Sequence, residues 1–286
     1  MRIKHHYALP VNTRLMDFLR ENRVAYKTCP LPGSDVPLCI FDLYEGQECL
    51  RTFKTRFPFC REISKSPKYS KAEIENAKWL SVRSGLKKVE WEYQPSAFLL
   101  SCEYSKLFSR GKRYKHEEQI SPLTVIGPMK WSAKMYFSGP NAADDILFCS
   151  KQTRDALDGK WNGLDFLRVM NGKGECHNDL YQLAFQNQLP IEALSGGKKT
   201  ICRTCGRTVL RLKDGTYQLE LREQYVDGGN SVYTTGNVLA DWAIGFPTYA
   251  INIVPQSFYQ YCERNGMNYG MIYEPVNLIW DLHSLR

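Results

Sequence analysis

Two thiols three positions apart carry the clearest chemistry in the chain, in Cys202-Arg203-Thr204-Cys205-Gly206. Deprotonated, the pair can point at one cation across a tight turn, and Gly206 permits the backbone conformation that such a turn needs. A lone pair is half of a tetrahedral zinc site. Three readings of Cys202 and Cys205 stay open: zinc ligands, structural free thiols, or a redox dithiol without the surrounding strand-then-helix pattern of a thioredoxin-type motif. The other eight cysteines, at 29, 39, 49, 60, 102, 149, 176 and 262, are irregularly spaced. In a reducing compartment they read as small buried hydrophobes.

The five histidines lie outside any nucleophile, metal-hydrolase or kinase motif. His5-His6 reads as a solvated pair, His116 belongs to a charged stretch, and His283 is near the last residue. His177, beside Cys176 and before Asp179, is the one histidine near plausible chemistry. Gly196-Gly197 and Gly228-Gly229 read as turns, and Asp144-Asp145 and Asp165 as caps or exposed turns. With no coherent catalytic constellation, the sequence points to a binding protein rather than an enzyme.

Length, composition and charge bound the rest. The 286 residues suffice for one or two domains, and 43% hydrophobic content with 13% aromatics is that of a folded chain. No segment approaches the ~20 apolar residues that cross a bilayer, and Met1-Arg2-Ile3-Lys4 leads into no apolar stretch, so a cytoplasmic protein is expected. The net charge of +8 is clustered: seven basic residues and one acid, Glu62, from Arg51 to Lys71, and six basic residues with no acid from Lys198 to Lys213. Such runs suit nucleic acid, an acidic protein partner, or simply a solvated face.

The elements that must position these residues read as mixed α+β. A helix is expected over 10–26, capped by Asn12 or Thr13, with Leu15, Phe18 and Leu19 at helical spacing. Prolines 30, 32, 37 and 58 suggest short strands and loops over 28–60. Residues 71–83 look helical, 86–108 alternate like a strand pair, and 109–119 read as an exposed charged loop.

An internal echo organises the second half. Residues 144–169 and 247–276 each run from a short apolar stretch through an amphipathic helix to a Gly-apolar-x-aromatic-x-x-Val close. Gly163 matches Gly270, Phe166 matches Tyr273, and Val169 matches Val276, with two extra residues in the second copy. Two similar strand–helix–strand units are thus expected to flank a zinc-ribbon-like knuckle, each with glycine turning the chain into its returning strand.

These residues carry a resemblance. The knuckle Cys202–Arg207, the unit Ile146-Leu147-Phe148-Cys149-Ser150 through Gly163 to Val169, and the block Phe246-Pro247-Thr248 through Gly270 to Pro275-Val276 resemble the double-CXXCG motif proteins. These are bacterial immunity-type proteins of toxin–immunity systems. The match covers roughly residues 120–280. It implies an immunity-like region over 121–286, preceded by a weakly matched N-terminal α/β region over 1–120. The family carries two knuckles, whereas this chain has one. The nearest candidate for the other is Cys29-Pro30-Leu31-Pro32-Gly33, with Pro32 where a second cysteine would stand. The resemblance implies Cys29 as a third zinc ligand, with Cys176 or His177 as candidates to complete the set.

Two functions of different class follow. One is an immunity-type protein that neutralises a cognate protein toxin by covering it, aromatic and Arg anchors supplying most of the affinity. The alternative is a zinc-knuckle nucleic-acid-binding protein whose basic runs track phosphates. Tryptophans 79, 91, 131, 161, 242 and 280 are the candidate aromatic anchors or core residues.

Overall fold

The computed structural model describes residues 1–31, 33–60, 62–89, 98–104, 114–126, 136–140, 146–201, 206, 208–212, 219–236, 239–240 and 250–279. The chain is α+β and divides into two compact units, Met1–Glu73 and Ile74–Arg286. The division between them thus falls near residue 73.

The N-terminal unit runs β1 (Arg2–Pro10), α1 (Thr13–Glu21), β2 (Tyr26–Cys29), β3 (Leu38–Tyr44), α2 (Glu48–Arg56), β4 (Ser64–Lys68). Its sheet has the order β2-β3-β1-β4 with every neighbouring pair antiparallel. This is the ferredoxin-like arrangement, two interleaved split β–α–β units. Alternation along β3 sends Cys39, Phe41 and Leu43 into the core and the intervening residues outward. They meet Leu15, Phe18 and Leu19 of α1, as their spacing predicts, and Phe53 of α2. Asn12 caps α1, its Oδ1 accepting from the Leu15 N–H at 2.9 Å.

Three local expectations are corrected. The stretch 28–60 contains a helix, α2, because Leu50 and Phe53 form a buried i,i+3 pair that the surrounding prolines obscured. Helix α3 covers only Lys71–Asn76, and β5 (Trp79–Ser84) follows it. Trp79, Leu80, Val82 and Ser84 are buried, and β5 is paired on both sides, so sheet burial overrides the local helical pattern. Part of the expected charged loop is β8 (Tyr114–Gln119), paired antiparallel with β7 (Phe98–Tyr104).

Between and beyond these the second unit continues with β6 (Lys87–Val89), β9 (Thr124–Val125), β10 (Phe137–Pro140), β11 (Phe148–Ser150), α4 (Lys151–Leu157), β12 (Leu164–Asn171) and β13 (Cys176–Phe185). Then come β14 (Leu194–Ser195), β15 (Gly197–Ile201), β16 (Thr208–Leu212), β17 (Glu220–Arg222), β18 (Tyr233–Thr234) and β19 (Leu239–Ala240). The described chain closes with β20 (Asn252–Pro255), α5 (Gln256–Arg264), β21 (Met271–Pro275) and β22 (Asn277–Ile279).

The echo in the sequence corresponds to two split strand–helix–strand units. Strands β11 and β12 flank β13, and β20 and β21 flank β5, all four pairings antiparallel. The registers agree. Ser150 opposes Leu180 and Phe166 opposes Leu183, three residues farther along the central strand. Pro255 opposes Trp79 and Tyr273 opposes Val82, again three residues farther along. Phe166 and Tyr273 therefore occupy equivalent places. Gly163 (φ +81°) and Gly270 (φ +101°) stand three residues before them in left-handed backbone. The sequence reading missed a second glycine pair: Gly159 and Gly266, also at positive φ, sit just beyond the ends of α4 and α5. Helix α5 has 9 residues against 7 in α4, which accounts for the two extra residues.

Each unit also has an equivalent fourth strand, β10 beside β11 and β18 beside β20, and β6 and β9 extend the first sheet to six. The sheets thus share the order β10-β11-β13-β12 and β18-β20-β5-β21. Leu80, Val82, Leu147, Leu183, Val254 and Tyr273 from both sheets lie in one buried cluster. Trp161 meets Phe258 edge-on at 4.9 Å and Tyr261 at 5.2 Å, and the Tyr261 hydroxyl donates to Ala156 C=O at 3.0 Å. Each glycine turn faces the start of the other unit's fourth strand. A Cβ on Gly270 would stand 2.0 Å from Phe137 O. In the first unit Asn162 C=O accepts from Val232 N–H at 2.9 Å, and Val232 stands before β18 as Phe137 stands before Ser138. The central strand β5 precedes both units in the chain, so they interlock and cannot be separated by a cut between them.

Candidate functional site

The knuckle is approached by two strands. β15 and β16 pair antiparallel from Gly197 opposite Leu212 to Ile201 opposite Thr208, so the chain reverses between Ile201 and Thr208. Val209 and Leu210 are buried, and Leu210 joins a cluster with Leu194, Leu221, Leu239 and Ile253. Those contacts anchor the base of the hairpin, while Lys198, Lys199 and Ile201 are exposed. Gly206 has φ +71°, the left-handed conformation expected of a residue following the second thiolate of a knuckle. Cys202 and Cys205 themselves lie outside the described residues. Thiolates are the donor type that zinc takes in ribbon knuckles.

The remaining ligand candidates fall in different places. Cys29 is a half-buried free thiol at the end of β2, opposite Leu38 in the N-terminal unit, whereas the knuckle belongs to the second unit. Cys176 is exposed at the start of β13, its Sγ 4.0 Å from Met170 Sδ across the β12–β13 hairpin. The His177 imidazole turns back on its own strand, Nδ1 accepting from the Asp179 N–H at 3.2 Å. Among the described residues no group of three or more His, Cys, Asp or Glu side chains is close enough to hold a metal ion.

His5 and His6 correct the expectation of a solvated pair. Alternation along β1 puts them on opposite faces, and each finds a carboxylate. His5 is 2% exposed with Nδ1 2.6 Å from Glu62 Oε2, and its Nε2 is buried with no hydrogen-bond partner among the described residues. His6 Nδ1 is 2.7 Å from Asp42 Oδ1, and Lys4 Nζ lies 3.3 Å from the other carboxylate oxygen. Burial pushes both carboxyls up, but hydrogen bonds from His5 and Lys65 to Glu62, and from His6 and Lys4 to Asp42, outweigh it and hold both below their usual range. Tyr7, next along β1, is pushed up to about 12 by burial and then by Glu62 and Cys60.

Glu62 lies just beyond a turn, residues 57–60, that follows α2. Phe57 packs on Phe53 and Phe18 of the core, whereas Phe59 is 95% exposed. The turn falls within the Arg51–Lys71 basic run, so aromatic and basic residues are interleaved there. Composition cannot tell the exposed Phe59 from the buried Phe53 and half-buried Phe57.

The described tryptophans and the most buried thiols serve packing. Trp79 and Trp161 are core residues; the other four tryptophans lie outside the described residues. Burial pushes the Cys149 thiol well up and that of Cys262 to about 12, so both stay protonated and unreactive at neutral pH. Asp165 is exposed within β12, opposite Ala184, and accepts from the Phe166 N–H at 2.7 Å, so it stands in a strand rather than in the expected cap or turn; Asp144 and Asp145 lie outside the described residues. Among those described, no helix is long and apolar enough to cross a membrane. No family model, curated protein or solved structure matches the chain.

Proposed function

We propose that this is an immunity-type binding protein, which neutralises a cognate protein toxin by direct association and turns over no substrate itself. The observation that carries the reading is the agreement between the two blocks bearing the family resemblance. Each is a split strand–helix–strand unit in the same register, and both contribute to one aromatic core. A scaffold packed in this way offers a partner a preformed surface, and little affinity is lost to ordering it. Survival of cells expressing a candidate toxin from this gene's neighbourhood, with and without this protein, tests the reading. Protection with recovery of a complex supports it, and death despite expression of the protein removes it.

A zinc-knuckle nucleic-acid-binding protein is the second reading, favoured by the exposed Lys198 and Lys199 on the hairpin that leads into the knuckle. It predicts binding to an unrelated oligonucleotide that weakens linearly in log–log salt titration, each phosphate contact steepening the slope by about 0.7–0.9.

A further inference from the structure

We propose that the turn after α2 is the part of the molecule that enters a protein partner, Phe59 seating in an apolar recess on a negatively charged surface. This rests on the protein-binding reading above and adds the face and the chemistry of what it meets. Phe57 and Phe59 stand two residues apart and have opposite environments. Phe57 stacks on Phe53 at 5.0 Å and lies edge-on to Phe18 at 5.7 Å. Phe59 is 95% exposed, and Ile63 beyond it is 60% exposed. A ring left in water forgoes burial that an apolar recess would return. The turn is fixed on both sides: Cys60 N–H donates to Phe57 C=O at 3.1 Å, and Ile63 N–H to His6 C=O at 2.8 Å. The ring is thus presented on an ordered backbone, which lowers the cost of association.

The charge on α1 and α2 beside the Phe57 ring is mostly basic, with Glu21 and Glu48 set among it. The Arg14 guanidinium lies over the Phe57 ring at 5.2 Å and donates to Arg56 C=O at 2.9 Å. Arg56 lies over Phe18 at 5.9 Å, and Arg51 and Lys54 are exposed along α2. The nearby acids are engaged, Glu62 by His5 and Lys65 and Glu21 by Arg56. Arg14, held against the Phe57 ring, presents a fixed fork that matches a carboxylate, whereas the Arg56 fork already meets Glu21. Helix α2 spends its apolar stripe, Leu50 and Phe53, on its own core, so it has no free apolar face with which to lie on a lipid surface. One projecting ring, two residues beyond the Phe57 that Arg14 covers and after a helix with exposed Arg51 and Lys54, fits an acidic protein surface better than a membrane.

Panning a random-peptide phage library on the full chain and on Phe59→Ser tests this, with near-UV circular dichroism confirming that the variant is folded. Wild type should enrich peptides in which Asp or Glu flank Leu, Phe or Trp. The best synthetic peptide should bind Phe59→Ser about 30-fold more weakly, as an anchor residue requires. Absence of enrichment, a basic consensus, or equal binding to Phe59→Ser would overturn the proposal. So would sedimentation with phosphatidylglycerol vesicles that depends on Phe59, which would give the turn to a membrane. The product of that candidate toxin gene separates this proposal from the reading beneath it. If that product binds wild type and Phe59→Ser equally, the face is wrong and the immunity reading stands. If Phe59-dependent acidic peptides are enriched but that product does not bind, the face stands and the immunity reading falls.

Discussion

At the scale of single residues, the positive-φ glycines separate into those that only turn the chain and those that also admit another strand. Gly159 has nothing within 4 Å of a built Cβ, whereas a Cβ on Gly270 would collide with Phe137 backbone. Gly159→Ala should therefore cost about 1–2 kcal/mol, the left-handed penalty alone. Gly270→Ala should cost about 2–5 kcal/mol, because overpacking against backbone adds to it. Urea unfolding followed by Trp fluorescence checks the order. Gly270 was legible in the sequence as a match to Gly163, but its closeness to Phe137 was not, because no local pattern encodes an approach across 133 residues of chain.

The His5–Glu62 pair gives a second residue-scale expectation. The Glu62 carboxyl is held below its unfolded value of about 4.3, so its contribution is present above that pH and is lost as pH falls through the folded value. Acidification below about pH 4 should weaken the N-terminal unit, and Glu62→Gln should flatten that dependence in urea titrations followed by circular dichroism. Adjacent histidines near a terminus carry no sequence signal of burial; only the β1–β4 pairing, His5 opposite Lys65, brings Glu62 into reach.

At the scale of elements, helices with a two-sided pattern and duplicated units were readable, while context-dependent ones were not. Leu15, Phe18 and Leu19 identify α1 directly, whereas Trp79-Leu80-Ser81-Val82 read as the end of a helix because its two partner strands lie some 170–190 residues downstream. The left-handed Gly206 is legible in the sequence, and the burial of Val209 and Leu210 behind it only in the fold. If zinc binds at the tip, elemental analysis of protein purified without added metal should find up to one zinc per chain, reduced in Cys202→Ser. Equal content in the two proteins would remove the knuckle from the account.

At the scale of the whole molecule, the division near residue 73 makes the two units separately observable. All six tryptophans lie beyond it, so Trp fluorescence reports on the second unit while far-UV circular dichroism reports on both. Phe53→Ala removes a ring packed on Tyr7, Phe18 and Phe41 and should destabilise the N-terminal unit by about 3–5 kcal/mol. The circular-dichroism transition should split or shift to lower temperature while the Trp midpoint stays in place. Equal shifts by both probes would show that the chain unfolds as one unit.

The central claim is association with a folded protein toxin, and isothermal titration of the purified full chain with a candidate toxin purified from its gene neighbourhood tests it most directly. The account predicts saturable one-to-one binding, with a Kd in the nanomolar range typical of preformed interfaces of roughly 1,600 Å², and loss of the toxin's activity at saturation. No heat of binding and an undiminished toxin activity at saturating protein would contradict it.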